Sequence, residues 1–254
     1  MAGAAVIRWQ SFSLPKAGSR LEEYEDACAV DDSGGRFAVA DGAAESVFAA
    51  EWALLLSESF VRSAPRPENW PTWLENPRAG WWRAVGHKAL PWYAETKREQ
   101  GAFATLLGWE WLPGTNGTGR WRAAAVGDAC LFQLRQGRLV QSFPIEHADD
   151  FGNRPDLLGS RPAARGDPPG KWAAGNARPG DRFVLMTDAI ACWLLTRLEA
   201  GDNPNDELDR LIVDPEPDAA FADWIGRLRT SGGLRNDDVT CLIVDLLPAP
   251  DAEQ

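Results

Sequence analysis

The chain has 254 residues, 44% of them hydrophobic, and carries 37 acidic against 26 basic side chains for a formal net charge of −11. That length suits one large α/β domain or two small ones, and the apolar fraction is enough for a sizeable core. The acid excess argues against a broad nucleic-acid surface, because duplex binding is driven by Lys and Arg neutralising phosphates, and no apolar run is long enough to cross a bilayer.

The opening MAGAAVIRWQ holds one Arg and no extended apolar stretch, a poor secretion signal. The expectation is a soluble, cytoplasmic protein that engages neither nucleic acid nor membrane. Cys28, Cys130, Cys192 and Cys241 show no C-x-x-C spacing, and only His87 and His147 offer imidazoles. A thiolate or imidazole zinc site is therefore not expected. The cysteines sit among apolar neighbours and read as core thiols, and the histidines as structural or surface residues. Any metal here would be hard and oxygen-bound.

In chain order, Asp26 to Asp41 reads as two short apolar strands around the turn Asp32-Ser33-Gly34-Gly35. From Ser46 to Arg62, Phe48, Trp52, Leu55, Leu56 and Phe60 recur at helical spacing, with Ser46 as the expected cap. A second helical stretch is predicted over Trp81 to Lys97, interrupted or kinked at Pro91. Several of the 13 tryptophans fall between Trp70 and Trp92. They suit a helix face packed on a sheet, with an aromatic partner-docking surface as the alternative.

A β region follows. Gly101 to Trp111 and Arg120 to Val126 are predicted strands joined by PGTNGTG, and Leu131 to Leu134 with Leu139 to Phe143 form a hairpin turned at Gln136-Gly137. Residues 144 to 181 are rich in Pro, Gly and Arg without periodicity and read as a long functional or mobile loop. Arg182 to Thr187 is a strand ending at Asp188, with a helix from about Ala189 to Glu199. Two helices are expected between Asp206 and Thr230, then a last strand over Val239 to Leu247. The order predicts layered sheets flanked by helices in one domain over residues 1 to 247, followed by a flexible tail, PAPDAEQ.

Asp41, Asp128, Asp188 and Asp237 each stand at the end or start of a predicted strand, where rigid elements aim side chains at a common point. A single such Asp is ordinarily a turn former or helix cap. Four in one chain are harder to assign to that.

These stretches carry a resemblance. Glu25-Asp26 followed by FAVADG at Phe37 to Gly42 resembles the "ED" and "DGHGG" metal motifs of the metal-dependent type 2C (PPM) Ser/Thr phosphatases. GAFATLLG at Gly101 is similar to that family's small-residue "GST" strand, and AAAVGDACLFQLRQGRL to its "VGDSR" hairpin. RFVLMTDAI resembles "LLLASDGL", and NDDVTCLIV resembles "DNITVIVV". The matches are short, but they occur in family order over residues 20 to 247.

The resemblance implies an α+β fold, a four-layer αββα sandwich with two central, mostly antiparallel sheets. It implies two Mn²⁺ or Mg²⁺ ions, with Asp41 bridging them and Asp188 and Asp237 completing the first site. The Gly42 carbonyl and Glu25, directly or through water, would serve the second, and Asp128 a third, weaker cation. Arg20 would grip the phosphate, although it lies five residues before Glu25 where the family shows four. The implied activity is a phosphoprotein Ser/Thr phosphatase of a divergent bacterial subfamily, with phosphorylated proteins and a cognate Ser/Thr kinase as partners. Carboxylate and water oxygens are what these cations prefer.

The departures are specific. Ala43 stands where the family has a His that is a candidate general acid, and losing such a group costs on the order of 10²–10⁴ in rate. Glu45 replaces a Gly and reads as a helix N-terminal acid. Ala189 replaces the Gly after Asp188, and Ala129-Cys130 replace Ser-Arg after Asp128. These changes leave two alternatives open: a pseudophosphatase acting as a regulatory binding module, and a hydrolase of small phosphoesters.

Overall fold

The expected strands form, and they assemble into two antiparallel sheets. A computed structural model describes residues 5–88, 92–114, 117–152 and 154–248, with the backbone alone for 92–94. The first sheet contains β1 (Val6–Leu14), β7 (Cys130–Arg135), β8 (Arg138–Phe143), β11 (Asp181–Met186) and β12 (Val239–Leu247), in the order β1-β12-β11-β7-β8. The second contains β2 (Ala27–Asp31), β3 (Arg36–Ala40), β5 (Leu106–Pro113), β6 (Gly119–Val126) and β10 (Lys171–Ala177), in the order β10-β6-β5-β3-β2. Two short strands, β4 (Phe103–Ala104) and β9 (Leu158–Gly159), pair separately.

Period-two alternation gives each sheet two apolar faces. One pair of faces meets in an inter-sheet core built on Phe37, Trp109, Trp121, Phe183 and Leu242, where the Trp109 and Phe183 rings lie 4.4 Å apart. The outer face of the second sheet is covered by α1 (Ala49–Arg62), α2 (Trp70–Trp73) and α3 (Glu75–Val85) through Trp52, Leu56, Phe60 and Trp81. The outer face of the first is covered by α5 (Asp188–Glu199), α6 (Asn205–Val213) and α7 (Pro217–Thr230) through Ile190, Leu194, Leu208 and Phe221. The result is the expected αββα sandwich. Gly108 on β5 sets the closeness of α1, since a Cβ there would lie 2.2 Å from a Phe60 ring atom.

Several expectations need correction. The segment 144–181 is not structureless: it contains β9 and β10. Both β10 and the unforeseen β1 are sheet edges. An edge strand buries little, so its sequence need not alternate, and KWAAGNA does not. Helix α1 begins at Ala49, after Phe48 in the left-handed region (φ 62°), and Ser46 caps nothing; its hydroxyl donates to the Ala43 carbonyl at 2.8 Å. The helical stretch predicted over 81–97 is interrupted, as expected, but its first part starts earlier: α3 ends at Val85 and α4 (Trp92–Gln100) follows, with Pro91 outside the described residues. The Gln136-Gly137 turn has positive φ at both positions (52° and 73°), as a two-residue hairpin requires. Trp70, Trp73 and Trp81 are buried and Trp82 is half exposed, so the tryptophan segment is chiefly helix-to-sheet packing. Cys130 and Cys241 are core thiols, while Cys28 and Cys192 are partly exposed. Of the expected tail, residues 249–254 lie outside the described residues.

Candidate active site

Strand register brings the carboxylates together. In the first sheet, Met186 at the end of β11 faces Cys130 at the start of β7 and Cys241 near the start of β12. In the second, Ala27 faces Ala40, Val39 faces Leu107 and Leu106 faces Val126. The ends of β3, β6 and β11 and the starts of β2, β7 and β12 therefore share an edge of their sheets. Gly127-Asp128 crosses from one sheet to the other there, with Gly127 at φ 98°. A Cβ on Gly127 would meet Thr105 at 2.6 Å, so the tight crossing requires glycine.

Asp41 follows β3 and shares parity with Phe37 and Val39, which face the inter-sheet core. Its backbone exchanges hydrogen bonds with Thr105: the Asp41 N–H donates to Thr105 Oγ1 at 3.1 Å, and the Thr105 N–H to the Asp41 carbonyl at 2.8 Å. Asp188 is the first residue of α5, where the helix dipole favours a carboxylate. Asp237 precedes β12 and is partly exposed. Asp128 is buried, and its Oδ1 has no hydrogen-bond partner.

The charges feel one another. Asp41 holds its proton well above the ordinary Asp range because it has lost hydration, reinforced by Asp26, Asp188, Asp237 and Asp128. Burial, with Asp188 and Asp237 adding, pushes Asp128 up to about 7. Asp188 is raised by desolvation against the opposing pull of Arg235. Glu25 is raised by desolvation, with Lys16 opposing and Asp238 and Asp237 adding. Thus Asp41, Asp128, Asp188 and Asp237 do come together, with Glu25 at the rim.

Gly42 is buried and its N–H donates to the Glu25 carbonyl at 3.2 Å; a Cβ would meet that oxygen at 2.7 Å. Arg20 is not drawn in: its side chain is 80% exposed and its ion partner is Glu23 at 4.0 Å. His87 and His147 are exposed, His147 beside Glu199.

Sequence reasoning missed three groups of residues. Asp26 is buried, pushed up to about 7 by desolvation, and its Oδ2 accepts hydrogen bonds from Thr187 Oγ1 (2.9 Å) and Thr240 Oγ1 (2.8 Å). Its Oδ1 has no partner. Period-two parity with Cys28 and Val30, which pack on the inter-sheet core, is the signal that singles out Asp26 as inward-facing. Asp238 accepts from the Lys16 and Glu25 N–H groups, each at 2.8 Å, and so ties the loop after β1 to the site. Arg235 donates to Asp188 and lies 3.0 Å from Asp237. No sequence pattern places it there.

A cleft of about 380 Å³ opens beside Asp128, lined also by Arg154, Asp156 and Lys171. A smaller one of about 200 Å³ is bounded by Asp188, Cys192, Thr196 and Arg235. A larger groove, about 710 Å³, runs along α6 and α7, and none of the cluster carboxylates lines it.

Among the described residues no three Asp, Glu, His or Cys side chains converge as a ready-made cation cage. The donor set nevertheless suits a hard divalent cation. It is all oxygen, Asp41, Asp128 and Asp188 are desolvated, and two buried oxygens at the site, Asp26 Oδ1 and Asp128 Oδ1, have no partner; a buried polar atom left so is costly unless something satisfies it.

No family model matches the chain, and no curated protein matches it by sequence. Solved structures do. The catalytic domain of the serine/threonine phosphatase PstP in complex with 2 manganese ions is similar at TM-score 0.62 and 17% identity, over 96% of this chain and 100% of that one. The photosystem II phosphatase PBCP is similar at TM-score 0.61 and 18% identity, over 94% and 98%. PppA, a regulatory component of the type VI secretion system in Pseudomonas aeruginosa, is similar at TM-score 0.57 and 19% identity, over 97% and 99%. From its first described strand to its last, this chain has the fold of the PPM-type Ser/Thr phosphatases.

Proposed function

We propose that the chain is a metal-dependent phosphoprotein Ser/Thr phosphatase that hydrolyses phosphomonoesters with Mn²⁺ or Mg²⁺. The observation that carries this reading is the set Asp41, Asp128, Asp188 and Asp237 at one edge of both sheets in this fold, the first three of them desolvated. Carboxylates so placed repel one another at neutral pH unless cations join them. Asp41, Asp188, Asp237 and Asp128, with Glu25 and the Gly42 carbonyl, would hold the ions.

When bound, paired divalent cations acidify water for attack on phosphorus and neutralise phosphoryl charge. The chain's own residues do the rest. Thr105 fixes the Asp41 backbone, the Asp26–Thr187–Thr240 network holds the starts of α5 and β12 in register, and Asp238 holds Glu25 against β12. The Ala43 side chain has no proton to give the leaving alkoxide. Arg154 and Lys171, in the cleft beside Asp128, offer the positive charge that would orient a phosphorylated segment. Phosphoproteins, with a Ser/Thr kinase acting on the same targets, are the proposed partners. Among the described residues no helix is long and apolar enough to cross a membrane, and we propose a cytoplasmic location.

The test is hydrolysis of a phosphothreonine peptide and of p-nitrophenyl phosphate with and without Mn²⁺, for wild type, Asp41→Asn and Asp237→Asn. Cation-dependent turnover that prefers the peptide and that both substitutions abolish is expected. Preference for the small ester would make the protein a small-phosphoester hydrolase. Silence with every cation and both substrates would refute the enzyme reading and leave a binding module.

A further inference from the structure

Arg235 stands where a cation is needed. Its guanidinium bridges Asp188 and Asp237, and the field of Asp128 adds to their pull. Two of the three carboxylates expected to hold the first cation are thus already joined by a positive charge from the chain itself.

The surrounding backbone is pinned while the Arg235 side chain is not. Arg229 donates to the Asp237 carbonyl at 2.6 Å and to the Pro15 carbonyl at 3.1 Å. The Asn236 side chain accepts from the Ala17 N–H at 2.7 Å and donates to the Ala17 carbonyl at 3.2 Å. The Arg235 side chain is 53% exposed and borders the cleft of about 200 Å³ beside Cys192 and Thr196. Rotation about its own side-chain bonds would clear both carboxylates and move no backbone.

We propose that Arg235 is an internal counter-ion that competes with a divalent cation for Asp188 and Asp237, so that loading requires its guanidinium to leave them. This rests on the metal reading above. In the cation-free protein the guanidinium offsets mutual repulsion in the carboxylate cluster, and a bound cation takes over that role. Charge-assisted hydrogen bonds of this kind set the scale of the competition.

The experiment is calorimetric titration of wild type, Arg235→Gln and Arg235→Lys with Mn²⁺, alongside phenylglyoxal labelling of wild type read by peptide mass spectrometry. Arg235→Gln should bind Mn²⁺ roughly 10- to 100-fold more tightly. Labelling at Arg235 should rise several-fold when Mn²⁺ is added, which separates displacement of the side chain from a mere change in local field. Arg235→Lys, which keeps the charge and loses the planar fork, should fall between the two. If Arg235→Gln binds no more tightly, or labelling ignores the cation, the counter-ion role is wrong while the metal reading stands. If neither wild type nor Arg235→Gln binds Mn²⁺, the metal reading fails and the competition fails with it.

Discussion

Asp128→Asn tests the electrostatics of the site through stability instead of turnover. Asp128 is buried, its Oδ1 is unpartnered, and desolvation with Asp188 and Asp237 lifts its carboxyl to about 7. In the unfolded chain it titrates near 4. The folded protein therefore binds its proton more tightly, and the cation-free fold gains stability that is fully present below about pH 4. That stability drains away as pH rises toward about 7. The full difference corresponds to at most about 4 kcal/mol, and about 2–4 kcal/mol is the working range. Asparagine carries no such charge, so Asp128→Asn should match wild type near pH 4 and exceed it by that amount at pH 8. For a chain of this length each kcal/mol moves Tm by roughly 2–4 °C, which gives a rise of at least about 4 °C. Thermal melts in chelator between pH 4 and 8 measure it. Equal or lower Tm for Asp128→Asn at pH 8 would show that the cluster is not repulsive and would refute the reasoning.

Other perturbations follow from named contacts. Thr187→Val removes the hydroxyl that donates to Asp26 and accepts from the Thr240 N–H. It should destabilise by about 1–3 kcal/mol in chelator melts, and by more at pH 8 than at pH 5 because the lost bond stabilises ionised Asp26. Asp181→Ala removes a fully buried carboxylate that accepts from Arg135 (2.6 and 2.8 Å) and Gln133 (2.9 Å). Arg135 is partly exposed and can turn to water, so the lost hydrogen bonds cost about 1–3 kcal/mol, readable as a lowered urea midpoint with cation binding retained. Gly108→Val drives a side chain into the Phe60 ring and should cost about 1–3 kcal/mol by the same measurement; an unchanged midpoint would mean that α1 is free to lift off β5.

Much of this protein is decided locally. The apolar runs in RFAVA, RFVLM and VTCLIV, the glycine turns and the helical spacing from Trp52 to Phe60 are properties of short segments, so the sequence alone determines these elements and their order. The same holds for Asp41, Asp128, Asp188 and Asp237, because an Asp at a strand end is visible wherever the strand is. Edge strands are another matter: β1 and β10 form because a neighbour offers unpaired backbone groups, and their side chains carry little of that pattern. Asp26 over Glu25 as the inward carboxylate depends on which face of β2 meets the other sheet. Arg235 reaches Asp188, 47 positions away, only because the loop before β12 is tied down by Arg229 and Asn236. Long-range charge pairing has no period in sequence, so the tertiary structure alone decided what stands among these carboxylates.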